Sequence, residues 1–118
     1  MRLIDFDADR ARPIDAYGSV GLTQAPLTAP LDRGAGFQAA CFRLAPGGRI
    51  GRHPATLPQL LAVVAGEGWV SGADGEARAI GAGQAAVWDT GEEHETWTDS
   101  GLTAIVLESP ELLPWGSR

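Results

Sequence analysis

The chain has 118 residues with a formal net charge of −6, and 44% of its residues are hydrophobic while 20% are charged. That length fits one domain able to bury a core without disulfides, and the composition excludes a disordered chain. The acidic balance, with no cluster of arginines interleaved with aromatics, excludes a nucleic-acid surface, which would be basic.

Taken in chain order, "RLIDF" (2–6) reads as an opening strand, and its early acids and missing apolar core argue against a secretory signal. "GSVGLTQAPL" (18–27) follows as a second strand, then "LDRGAG" turns into "FQAACFRL" (37–44). "APGG" is read as a turn into "RIGRH", and "TLP" as a turn into "QLLAVVA" (59–65). "GEG" then turns into "WVSG", and "ADG" (73–75) is a hairpin signal because Asp-Gly suits positive φ. "EARAI", "QAAVW", "HETWT" and "LTAIVLES" (102–109) complete the series, each bounded by glycine or aspartate turns. Strands spaced about 8 to 12 residues apart, with short connections, predict an all-β sandwich or barrel with antiparallel pairing. The tail "PELLPWGSR" is broken by proline and is expected to pack irregularly.

No run approaches the roughly twenty apolar residues of a membrane span. The single cysteine, Cys41, cannot form an internal disulfide and reads as a small buried hydrophobe, which fits a cytoplasmic setting. All nine basic residues are arginine, the bias of a GC-rich genome rather than a functional signal. No serine lies in a G-x-S-x-G context, and "GADGEARAIGAG" lacks the lysine and spacing of a phosphate loop.

The two histidines, His53 and His94, carry the chemistry, and each follows a turn. Strand alternation places Leu61 and Val63 on the same face as Gln59, so an apolar cavity with a small polar patch is expected there. Trp69 and Trp88 lie on strands and are candidates for its wall, against the alternative that they fill the core or a dimer interface. Trp97 should face away from His94, whereas Thr96 joins the candidate ligand-binding set. Glu92, Glu93 and Glu95 are read as a solvated rim, and Arg43, Arg49 and Arg52 as arginines on a strand face or rim.

The two histidine segments together resemble the paired motifs of the cupin superfamily. The first, G-x5-H-x-H-x3,4-E-x6-G, is matched by Gly47, His53 and Gly66, with Ala55 at the second histidine and Gln59 at the glutamate. The second, G-x5-P-x-G-x2-H-x3-N, is matched by Gly83, Gly91 and His94, with Asp89 at the proline and Thr98 at the asparagine. The spacing is retained over residues 36–108, while four identities depart.

This resemblance implies a double-stranded β-barrel of the jelly-roll type, with both histidines lining its interior. Residues 1–35 would extend the barrel, 36–109 would form it and 110–118 would be a tail, all in one domain. It also implies His53, Gln59 and His94 as ligands of a divalent metal such as iron, manganese, nickel or zinc. Gln59 lacks the carboxylate's charge and Ala55 supplies no ligand, which puts that metal in doubt. Two readings follow. One is a metal-free pocket in which His53, Gln59 and His94 hydrogen-bond a small organic ligand, with either histidine available as an acid or base. The other is a metal-dependent oxygenase or isomerase. A homodimer is expected, because the N-terminal strands would otherwise leave an exposed edge.

Overall fold

The computed structural model describes residues 1–31 and 36–116. The turn expected at "LDRGAG" falls mostly on residues 32–35, and the end of the tail on 117–118, outside the described residues. Among the described residues eight strands form: β1 (Arg12–Ile14), β2 (Val20–Pro26), β3 (Gln38–Pro54), β4 (Gln59–Ser71), β5 (Arg78–Gly81), β6 (Ala85–Trp88), β7 (Glu93–Trp97) and β8 (Leu102–Glu108). All of their pairings are antiparallel, and they close into a barrel, as the strand spacing predicts.

Two long strands build the barrel by changing partners along their length. The first half of β3 pairs with β2 and β8, and its second half with β7. The first half of β4 pairs with β8 and β6, and its second half with β5 and β7. Each strand therefore belongs to both layers. "APGG" and "GEG" are consequently bends rather than the strand ends expected of them. At Gly66 the backbone takes φ 79°, and a Cβ there would overlap the Gly101 carbonyl, so only glycine lets β4 continue past β8.

The opening strand also differs from expectation. Residues 2–6 form no strand, Leu3 and Ile4 are exposed, and the first strand is Arg12–Ile14 instead. "RLIDF" has the apolar and β-branched residues of a strand, but among the described residues no neighbouring strand supplies a hydrogen-bond ladder to it. β1 itself pairs only with β2.

Period-two alternation decides what faces inward. Leu61, Val63 and Val70 of β4 and Leu102, Ala104 and Val106 of β8 are buried in one core with Leu22, Leu44 and Ile50. Each such fully buried aliphatic side chain contributes about 1.5–3 kcal/mol. Cys41 is buried as well, at 1% exposure. Among the described residues no helix is long and apolar enough to cross a membrane.

Candidate functional site

One end of the barrel interior holds a cavity of about 130 Å³. Its apolar wall includes Leu22, Phe42, Ile50 and Leu61, and its polar groups include His53, Gln59, His94, Thr96 and Glu108. β3 and β7 bring the histidines together, because His53 and His94 are direct cross-strand partners. Their ring centroids lie 4.4 Å apart, tilted by 51°.

Both rings are wired alike. His53 Nδ1 lies 2.7 Å from the Gly51 carbonyl and His94 Nδ1 lies 3.1 Å from the Glu92 carbonyl. A carbonyl oxygen only accepts, so each Nδ1 carries the proton and donates it. The Nε2 of each neutral ring is left with its lone pair, as the nitrogen free to meet a ligand. His94 is 2% exposed, and burial lowers its pKa below the usual 6.5 despite the opposing carbonyl of Glu92. The nearby His53 lowers it further, while the Glu92 and Glu93 charges oppose.

Each ring has an aromatic backing. Trp88 packs on His94 with centroids 4.5 Å apart, and its Nε1 donates to the Ser71 carbonyl at 3.2 Å. Beyond Trp88 runs a larger open groove of about 920 Å³, bordered by Asp89, Glu92 and Trp115, which contains neither histidine. Tyr17 stacks on His53 at 4.0 Å with the planes within 2°. Tyr17 has φ 59°, the left-handed region, and is 61% exposed. Its segment crosses β3 at Gly51, where a Cβ would overlap the Tyr17 carbonyl, and Gly51 N–H donates to Ser19 Oγ at 3.0 Å.

The sequence candidates divide into those on the cavity and those off it. His53, Gln59, Leu61, His94 and Thr96 line it. Trp88 supports it from behind His94. Val63 lies in the core beyond the lining residues. Trp69 does not reach the cavity, because it sits on the face of β4 opposite buried Val70 and stacks on its cross-strand partner Trp97 at 6.3 Å. Arg49 pairs with Glu95 at 3.6 Å and Arg52 donates to Ser71 Oγ and the Gly72 carbonyl, so neither enters the cavity. Glu92 is a turn strap, accepting from the N–H groups of Ala73 and Asp89. Thr98 does similar work, donating to the Glu67 carbonyl and accepting from Gly101 N–H.

Among the cavity residues that were not anticipated, two bear on its chemistry. Glu108 ends the inward row of Leu102, Ala104 and Val106, and its Oε1 accepts from Gln59 Nε2 at 2.9 Å. That row was its only signal in the sequence. Tyr17 arrives from the N-terminal segment, and the glycine at 51 within a strand was the one hint that another chain segment passes there.

The donor set does not fit a tightly held resident metal. Two imidazoles and an uncharged amide line the cavity, and Ala55 is buried and outside the lining; the Glu108 carboxylate lines the same cavity, but the described residues contain no group of three His, Cys, Asp or Glu placed to hold a metal.

The family model described as Cupin domain matches residues 40–109. No curated protein matches the chain in sequence. Among solved structures, a predicted oxalate decarboxylase from Thermotoga maritima superposes with a TM-score of 0.78 at 20% identity, over 90% of this chain and 96% of the other. The polyketide cyclase RemF from Streptomyces resistomycificus gives 0.78 at 22% identity, over 97% and 82%. A Cupin 2 conserved barrel domain protein from Salinispora arenicola gives 0.75 at 19%, over 92% and 88%. At such identities the likeness extends to the fold alone.

Proposed function

The chain belongs to the cupin domain family, and on that premise we propose that its barrel binds a small organic molecule without a metal, through His53, Gln59 and His94. The observation that carries this reading is the shared wiring of the two rings. Each Nδ1–H is committed to a backbone carbonyl, which leaves Nε2 as the free ring acceptor on two histidines that line one apolar-walled cavity. The cavity has the size that accepts a single benzene-like ring. An acidic O–H or N–H of the ligand meets the Nε2 acceptors, and the hydrocarbon part meets Leu22, Phe42 and Leu61. His94, held neutral by burial, also serves as a base toward a ligand proton.

Elemental analysis of tag-free protein, purified without chelators or a nickel column, separates this from the metal-dependent oxygenase or isomerase reading. The expected result is well under one equivalent of transition metal, also after anaerobic incubation with ferrous iron. About one equivalent, lost in the His53→Ala/His94→Ala double variant, replaces the proposal with the metal reading.

A further inference from the structure

Glu108 carries the only formal charge on the cavity lining, which includes no arginine or lysine among the described residues. Gln59 Nε2 engages its Oε1, and no cation pairs with it among the described residues. The ring nitrogens of His53 and His94 add only acceptors, because their Nδ1 protons are already donated to the Gly51 and Glu92 carbonyls. The residues lining the cavity therefore carry one charged acceptor, the remaining Glu108 oxygen, and two neutral ring acceptors, the imidazole Nε2 atoms. A protonated primary amine has N–H donors and a positive charge, which complements the Glu108 carboxylate in sign and the ring acceptors in kind. A carboxylate would face a like charge in an apolar-walled cavity, with no cation on its lining to answer it.

Resting on the metal-free pocket reading, we infer that the cavity selects small primary amines, held as ammonium ions by Glu108, and rejects carboxylates of the same size. Glu108 is then the specificity-determining residue of the site. The hydrocarbon body of the amine lies against Leu22, Phe42, Ile50 and Leu61.

Three size-matched probes test this: benzylamine, benzyl alcohol and benzoate. Each is titrated into the full chain at neutral pH with EDTA present, and the side-chain NMR signals of the two histidines are followed. Benzylamine is expected to bind about tenfold more tightly than benzyl alcohol, with benzoate weakest. Glu108→Gln keeps an oxygen for Gln59 and is expected to cost benzylamine about tenfold while moving benzyl alcohol less than about threefold. Equal binding of all three probes, or a benzoate preference, overturns the inference and leaves the pocket reading standing. A preference for the amine that survives Glu108→Gln overturns the role of Glu108. Binding of none of the probes overturns the pocket reading and the inference with it. The ranking in the unsubstituted protein requires no variant to fold.

Discussion

His53 and His94 are cross-strand partners with the same backbone wiring, yet their surroundings are opposite. His94 is buried, backed by Trp88, itself 3% exposed, and set in a short strand flanked by β3 and β4. His53 is half-buried and backed by Tyr17, an exposed side chain on a segment with left-handed backbone. The site thus has a floor defined by core packing and a rim defined by one crossing of two chain segments. Ligand contact can be identical at the two rings while their mechanical support differs.

The floor is the easier side to break. Trp88→Ala removes a buried aromatic ring and is expected to destabilise the protein by about 3–5 kcal/mol, read as a fall in urea midpoint by circular dichroism. A loss under about 1 kcal/mol would mean that Trp88 is not the core support of His94. The rim should respond separately and less. Gly51→Ala forces a Cβ into the Tyr17 carbonyl and is expected to cost about 2 kcal/mol while shifting the NMR signal of His53 more than that of His94. Equal shifts at both rings would dissolve the distinction between floor and rim.

The smallest effect sharpens the comparison through pH. Burial depresses the His94 pKa in the folded state, so the unfolded chain binds its proton first. The stability that goes with neutral His94 is complete above the unfolded value near 6.5 and is lost as pH falls from there through the depressed folded pKa. The slope is at most about 1.4 kcal/mol per pH unit. Urea midpoints between neutral and mildly acidic pH are expected to fall more steeply in the unsubstituted protein than in His94→Gln. Parallel curves would show that His94 is not charged at a cost on acidification.

The architecture was legible because its signals are local. Glycine and proline turns at short intervals announce β-strands, and alternation along "QLLAVVA" identified Leu61 and Val63 as inward. The spacing of Gly47, His53 and Gly66, and of Gly83, Gly91 and His94, was enough to expect two histidines in one barrel. "RLIDF" misled because strand-favouring residue types do not supply a neighbouring strand. Trp69 misled for a related reason: a tryptophan on a strand lies on one of two faces, and packing against Trp97 decided which.

What the sequence by itself determined, then, is the barrel, the pair of histidines and the weakening of the metal motif at Ala55 and Gln59. Only the tertiary structure decided that Glu108 and Tyr17 join them. Glu108 is 49 residues from Gln59 and meets it only because β8 lies beside β4 in register. Tyr17 reaches His53 only because β3 leaves Gly51 bare for another segment to cross. Those contacts depend on which strands pair and which segments cross, and residues far apart in the chain carry no local signal of that choice.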